Sequence, residues 1–192
     1  MFPPRADNIS MLYTNIKTVQ SLWWSGVEAL AKLQAIWRSV LRNSFDKPIT
    51  TIIATKYNHT SDALNALPQC TIYESAHPIP DENSLIAGTA ILDAVKSMPA
   101  NSNLLLLVSG GASSLVEVLQ DGINLDMLIQ KNSEFMAQGL SIGEINAQRK
   151  KMSRIKAGQL LEAFTGQEAQ IIAISDVEGD QHRYYWLWYR CL

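Results

Sequence analysis

The sequence is poor in several residue types whose abundance marks particular classes of protein. Its two cysteines, Cys70 and Cys191, lie too far apart for a disulfide framework or a metal-ligand spacing. We therefore expect free thiols in a reducing, cytoplasmic compartment. The formal net charge is only -2, which gives no global field for binding nucleic acid or a membrane. No apolar run approaches membrane-spanning length, and the first residues lack the apolar core of a signal peptide.

Apolar residues, in contrast, are abundant and regularly spaced. The chain has 192 residues, of which 47% are hydrophobic, enough for a sizeable core in one domain or in one domain with a fragment of another. Short apolar runs alternate with helical patterns, which is typical of an α/β fold with a doubly wound, mostly parallel, Rossmann-like sheet. The predicted strands are Thr50–Thr55, Cys70–Tyr73, Leu104–Val108 and Ala169–Ile174.

Three helices are predicted between these strands. Ser84–Ser97 has apolar residues at helical spacing. A second helix begins at Asn124 or Asp126 and ends at Gly139, since glycine commonly closes helices. Ser141–Glu144 has the spacing of a capping box, which predicts the start of a third helix. The buried side of that helix is predicted to carry Ile145, Met152 and Ile155.

The strand Leu104–Val108 runs into a glycine turn that is suited to binding an anion. Glycines at such a turn let backbone N–H groups converge on a phosphate. The turn comprises Ser109, Gly110 and Gly111, followed by Ala112 and Ser113. Five cations follow within eight residues: Arg149, Lys150, Lys151, Arg154 and Lys156. Alone, the turn is also an ordinary βα connection and the cluster a solvated helix face, but together they predict a phosphate site.

Acidic residues follow the last predicted strand. Asp176 and Asp180 stand four residues apart there, and carboxylate oxygens are ligands that Mg²⁺ prefers. The alternative is that Asp176 caps the next element of the chain. His77 is a further candidate for the site, because Pro78 and Pro80 would hold it stiffly.

Five motifs in the order of the chain suggest a family. Between Thr50 and Asp180 these are T-K-Y-N-H, E-S-A-H-P-I-P-D-E, L-V-S-G-G-A-S-S-L, I-G-E-I-N-A-Q-R-K-K-M-S-R-I-K-A-G-Q-L and I-S-D-V-E-G-D. Together they resemble the glycerate 2-kinase family of MOFRL-type proteins, often labelled hydroxypyruvate reductase. The resemblance implies a large α/β domain, a smaller C-terminal α/β domain and an active site between them. It also implies transfer of the ATP γ-phosphoryl group to the 2-hydroxyl of D-glycerate with Mg²⁺, without nucleic-acid or membrane partners.

The resemblance assigns roles to individual residues. The predicted catalytic residues are Arg149, Lys150 and Lys156. The predicted phosphate- and nucleotide-binding residues are Ser109, Gly110, Gly111 and Ser113. The predicted substrate cleft contains His77, Asn146 and Ser153. Asp176 and Asp180 match the family's acidic pair, and their assignment to magnesium rests on carboxylate chemistry. Three positions depart from the family: its third loop glycine is Ala112, its histidine after Arg-Lys is Lys151, and its Gly-Gly is Ala157-Gly158.

Both ends of the chain depart further from the family. Its Gly-Lys-Ala motif, whose lysine is assigned to catalysis, is not found in frame, and the tail from Gln181 continues unlike the family. Because tryptophan has one codon, reading one base later across Trp186-Leu187-Trp188 forces two glycines that suit the family. A change of reading frame across Leu30–Arg38 also permits G-K-A-S-G-D-M-A. We therefore predict a kinase-like domain over 46–180, flanked by a poorly matching segment 1–45 and a tail 181–192 that both contain out-of-frame sequence.

This interpretation predicts an N-terminal portion of a two-domain kinase without its C-terminal domain. Such a chain would be inactive alone and would associate through an exposed interdomain face. Two alternatives stay open. The first is a NAD(P)H-dependent hydroxypyruvate reductase, although no G-x-G-x-x-G follows a strand. The second is a non-catalytic nucleotide-binding or interaction module.

Overall fold

The computed structural model describes residues 21–25, 50–60, 62–66, 69–108 and 111–173. These residues form a five-stranded sheet in the order β3-β2-β1-β4-β5, and all four neighbouring pairs are parallel. The predicted parallel α/β fold is therefore confirmed. The strands are β1 Ser21–Ser25, β2 Thr50–Lys56, β3 Cys70–Ser75, β4 Asn103–Val108 and β5 Glu168–Ala173.

The central strand β1 was not assigned from the sequence. It lies between β2 and β4, with Ser21 paired to Thr50 on one side and to Leu104 on the other. The other four strands match their predicted positions, with ends that differ by one or two residues, as is usual at element boundaries. The rest of the predicted segment 1–45, the predicted last strand residue Ile174 and the tail 181–192 lie outside the described residues.

Six helices are described between these strands. The long ones begin at side-chain caps: Asp81 accepts from the Ser84 N–H, and Asn124 from the Met127 N–H. The predicted capping box of Ser141 is also present. The helices are α1 Asp62–Asn65, α2 Glu82–Ser97, α3 Ala112–Leu115, α4 Leu125–Ala137, α5 Ile142–Met152 and α6 Gln159–Glu162. None of these described helices is long and apolar enough to cross a bilayer.

The core lies between α2 and one face of the sheet. Alternate residues of the strands face this layer because side chains of a strand point to opposite sides in turn. Strand and helix residues in this cluster include Ile52, Ala54, Leu104, Leu106, Ala87, Ile91 and Val95. The predicted buried stripe of α5 is confirmed as well, since Ile145, Met152 and Ile155 are all buried.

One glycine brings α2 unusually close to the chain that follows β4. A Cβ at Gly88 would lie 2.1 Å from the carbonyl oxygen of Glu117. The Glu117 N–H also donates to the Ser84 carbonyl at 3.0 Å, and the Ser75 hydroxyl donates to the Leu115 carbonyl at 2.9 Å. Residues 115–117 are therefore fixed against both α2 and the end of β3.

The strand order reverses direction between β1 and β4. Segments that leave the carboxyl ends of neighbouring strands diverge at such a point, and ligand sites of parallel α/β sheets form in the resulting crevice. Here the loop 76–81 leaves β3, and residues 111–117 follow β4. Both lie at the carboxyl edge of the sheet.

Candidate active site

A cleft of about 230 Å³ lies at the carboxyl edge of the sheet. It collects residues from the loop after β3, from the segment after β4, from α4 and α5, and from the turn that follows α5. The described residues that line it are His77, Pro78, Pro80, Gly111, Ser113, Ser114, Glu117, Leu128, Asn132, Arg149 and Lys156. The predicted residues His77, Gly111, Ser113, Arg149 and Lys156 are thus brought together.

The loop after β3 is held in place by its own aspartate. Asp81 caps α2, and it also accepts a hydrogen bond from the Tyr57 hydroxyl at 2.6 Å, which ties the loop to the end of β2. The peptide bond between His77 and Pro78 is cis. Partial burial and the charge of Lys56 lower the pKa of His77, so its imidazole is neutral at neutral pH.

The segment after β4 presents backbone and a hydroxyl to the cleft. Gly111 has φ 81, a left-handed conformation that favours glycine, and it precedes the short helix α3. Ser113 lines the cleft, whereas the Ser114 hydroxyl is turned to the Gly111 carbonyl at 3.2 Å. The predicted residues Ser109 and Gly110 lie outside the described residues.

Lys156 and Glu117 form a buried ion pair in the cleft. Lys156 is 1% exposed and Glu117 is 2% exposed, and the lysine Nζ contacts Glu117 Oε2. The lysine also donates to the Val116 carbonyl at 3.4 Å, while the Val118 N–H donates to Glu117 Oε1 at 3.0 Å. Burial lowers the pKa of Lys156, and the neighbouring Glu117 carboxylate acts in the opposite direction.

Arg149 is half-buried and oriented by one amide. Its Nε donates to Asn132 Oδ1 of the neighbouring helix α4 at 2.8 Å. Burial lowers its pKa, and the charge of Glu117 raises it, but a guanidinium stays protonated in proteins. The Arg149 side chain lines the cleft. A guanidinium can meet a carboxylate or a phosphate with two parallel hydrogen bonds, so Arg149 is the candidate anion-binding group of the cleft.

The sequence and the fold of this chain are also similar to those of known proteins. Residues 26–184 match the family described as Domain of unknown function (DUF4147). The chain belongs to this family.

Named relatives of the DUF4147 chain include a D-glycerate 2-kinase from Thermotoga maritima. It is 35% identical over 130 residues, which cover 68% of this chain and 30% of the relative. A putative hydroxypyruvate reductase from Agrobacterium vitis is 32% identical over 152 residues, which cover 78% of this chain and 36% of the relative. The chain therefore spans about a third of the length of these relatives.

Two solved structures resemble the fold. The crystal structure of glycerate kinase from Thermotoga maritima has a TM-score of 0.78 at 30% identity, covering 98% of this chain and 44% of that one. A crystal structure from Pyrococcus horikoshii has a TM-score of 0.74 at 26% identity, covering 88% of this chain and 37% of that one. The predicted resemblance to the glycerate kinase family, over a portion of its length, is confirmed.

Several predicted site residues of this DUF4147 chain do not line the cleft. Lys150 is exposed, and so are the other cations of the cluster, Lys151 and Arg154. Ser153 is fully buried, and its hydroxyl accepts the N–H groups of Ile155 and Lys156 at 3.3 and 3.2 Å. It therefore shapes the turn that carries Lys156.

Asn146 lies near this region but outside the lining. It is half-buried, and its Oδ1 atom has no hydrogen-bond partner among the described residues. Asp176 and Asp180, the predicted magnesium ligands, lie outside the described residues. Within the described part, no three His, Cys, Asp or Glu side chains converge to hold a metal.

The sequence reasoning missed Glu117 and Asn132. Glu117 stands in the apolar stretch Leu-Val-Glu-Val-Leu, where a single glutamate looks like an exposed strand residue. The available signal was an acidic residue with apolar neighbours on both sides in the sequence. A carboxylate that is buried with such neighbours is nearly always paired with a cation. Asn132 gave no signal, since its contact with Arg149 depends on how α4 packs against α5.

Proposed function

We propose that this chain forms one part of a glycerate 2-kinase site, which transfers the γ-phosphoryl group of ATP to the 2-hydroxyl of D-glycerate. The observation that carries the proposal is the cleft at the carboxyl edge, where residues of three separate motifs meet: His77, Gly111 and Arg149. The names of the Thermotoga relatives support the choice of reaction.

Phosphoryl transfer depends on positioning the reactants and neutralising charge more than on a nucleophile from the protein. Arg149 and Ser113 both line the cleft, where a guanidinium and a hydroxyl can donate to anionic oxygens. The left-handed turn at Gly111 lets main chain approach a phosphate without a Cβ between them, so this side of the cleft fits a nucleotide phosphate. Mg²⁺ would neutralise phosphate charge, with Asp176 and Asp180 as its proposed ligands.

We further propose that the chain does not turn over alone. It spans about a third of its relatives' length, so the remaining wall of the cleft and its charges would come from elsewhere. Loss of groups that act in the transition state typically lowers rates by orders of magnitude. The purified chain with D-glycerate and Mg-ATP should therefore release no ADP above the background.

The test of the reaction itself is a chimera with the Thermotoga maritima D-glycerate 2-kinase. Residues 50–173 of this chain would replace the matching segment of the relative. We expect glycerate-dependent ADP release, with the phosphate on the 2-position by ³¹P NMR. Arg149→Gln should lower kcat/KM by about a hundredfold or more. Lys131→Gln, on the exposed side of α4, is the matched control and should leave the rate unchanged.

One further activity is named among the relatives, since a putative hydroxypyruvate reductase matches this chain. NADH oxidation with hydroxypyruvate, measured on the same chimera, separates the two reactions. Reductase activity without ADP release would overturn the kinase proposal. ATP binding without either reaction would favour a non-catalytic nucleotide-binding module.

A further inference from the structure

The charged side chains that line the cleft do not make it strongly basic. Arg149 and Lys156 are cations, but Glu117 is a carboxylate in direct contact with Lys156. Among the described lining residues, Glu117 is the sole acidic group, and His77 is neutral at neutral pH. The buried pair contributes no net charge whichever partner holds the proton. Among the described lining residues, a single positive charge therefore remains, on Arg149.

Most of the hydrogen-bonding groups of Lys156 and Glu117 also have partners within the protein. One oxygen of Glu117 receives the Val118 N–H at 3.0 Å, and the other contacts the ammonium. The ammonium itself donates a second bond to the Val116 carbonyl at 3.4 Å. Both side chains are almost completely inaccessible to solvent. The pair therefore holds the segment after β4 and the turn after α5 together.

Arg149 is in the opposite situation. It is half-buried, its Nε donates to Asn132 at 2.8 Å, and its side chain lines the cleft. A planar guanidinium fixed in this way meets a carboxylate with two parallel hydrogen bonds. A singly charged ligand would be neutralised there, whereas a doubly charged ligand would keep one charge uncompensated in a partly buried site.

We propose that Glu117 sets the anion selectivity at Arg149: by neutralising Lys156 it leaves Arg149 as the single charged anchor among the described lining residues, which selects a carboxylate monoanion over a dianion such as phosphate. This inference deepens the proposed function, because it assigns Arg149 to the carboxylate of the hydroxy acid and leaves the Gly111 turn to a nucleotide phosphate. The phosphate groups of the nucleotide would then depend on charges other than Lys156.

The experiment measures anion binding by the full chain, without turnover, by calorimetry and by the shift of the Arg149 Nε–H resonance. The probes at pH 7.5 are D-glycerate, methanesulfonate and sulfate, at constant ionic strength. Methanesulfonate and sulfate have nearly the same shape and differ by one charge. D-Glycerate and methanesulfonate should each bind more tightly than sulfate. Equal or tighter binding of sulfate, or no binding of any probe, would overturn the proposal.

Variants separate the anchor from the pair. Arg149→Gln should weaken D-glycerate binding by about tenfold or more, because it removes a charge-assisted bidentate contact. Glu117→Gln leaves the Lys156 charge without its neutralising carboxylate and should strengthen sulfate binding relative to D-glycerate by about tenfold. An unchanged preference between sulfate and D-glycerate in folded Glu117→Gln would refute the role of Glu117.

The exposed pair Lys131–Glu134 provides the matched control, because Glu134→Gln makes the same substitution in an ion pair on the surface of α4. It should bind all three probes as the wild type does. Circular dichroism and thermal unfolding identify a variant that fails to fold, and the wild-type comparison of methanesulfonate with sulfate tests the proposal without any substitution. Failure of the kinase proposal would be seen separately, as a chimera without ADP release.

Discussion

Ala157 adopts a backbone conformation that suits glycine better than alanine. Its φ is 55, next to Gly158 at φ 88, where the resemblance to the glycerate 2-kinase family implies two glycines. A left-handed conformation costs an L-residue roughly 1–2 kcal/mol, and the extra freedom of glycine in the unfolded chain offsets part of this. Ala157→Gly should therefore raise the free energy of unfolding by about 0.5–1 kcal/mol.

Urea denaturation checks this expectation. Ala137→Gly is the matched control, because Ala137 is an exposed residue at the end of α4 with ordinary helical backbone. That substitution should lower the free energy of unfolding by about 0.5–1 kcal/mol. If Ala157→Gly lowered the free energy of unfolding as much as Ala137→Gly does, the backbone at Ala157 would not be strained. The same turn carries Lys156, so its backbone also determines where the buried ion pair lies.

At the scale of elements, Gly88 controls how closely α2 approaches the chain after β4. A Cβ there would lie 2.1 Å from the Glu117 carbonyl oxygen, which is far inside contact distance. Gly88→Ala should therefore lower the free energy of unfolding by roughly 1–3 kcal/mol, as overpacking of a close contact does. It should also weaken binding of D-glycerate, because Glu117 would have to move.

Gly143 provides the comparison for this substitution. It lies in the exposed first turn of α5, and a Cβ there would meet nothing within 4 Å. Gly143→Ala should raise the free energy of unfolding by about 0.5–1 kcal/mol, because alanine is the better helix former. If Gly88→Ala also raised the free energy of unfolding, α2 would not approach Glu117 as closely as the structure shows.

The cap of α2 predicts how stability depends on pH. Burial alone would raise the pKa of Asp81, but hydrogen bonds from Tyr57, from the Ala76 and Ser84 N–H groups and from the Ser84 hydroxyl lower it below the ordinary value. A carboxylate with a lowered folded pKa stabilises above its unfolded pKa, and this contribution disappears as the pH falls through the folded pKa.

Asp81→Asn should therefore destabilise the chain at neutral pH, and its difference from the wild type should shrink as the pH is lowered from about 6 to about 3. Urea midpoints at a series of pH values measure this. Tyr57→Phe, which removes one of the hydrogen bonds, should show part of the same trend. A difference that stays constant with pH would show that the Asp81 charge does not stabilise the fold.

Elements were more predictable than contacts between them. The strand Leu104–Val108 and the capping box of Ser141 could be recognised because each depends on neighbours in the chain. Glu117 could not, since its partner Lys156 lies 39 residues away and only the folded turn brings the two together. The sequence also could not show how helix geometry divides the cation cluster between the cleft, where Arg149 lies, and solvent, where Lys150 lies.

At the scale of the whole molecule, the out-of-frame interpretation of the two ends can be tested directly. The genomic DNA, read in all three frames, should encode G-K-A-S near Ala31 in another frame and a second α/β domain beyond Gly179. Closed or unrelated alternative frames would show that the aromatic ends are genuine parts of the protein. In that case the tail would need a role of its own.

The position of β1 at the centre of the sheet has a consequence for how the protein folds. Its residue Ser21 pairs with Leu104, so the two halves of the sheet join only through a contact between distant parts of the chain. Closing so long a loop carries an entropic cost that must be met before the pairing is gained, and folds of high contact order form slowly. During synthesis, β1, β2 and β3 must wait for β4 to emerge, with one edge of β1 unpaired. The cleft, which needs segments beyond β3 and β4, is then among the last features to form.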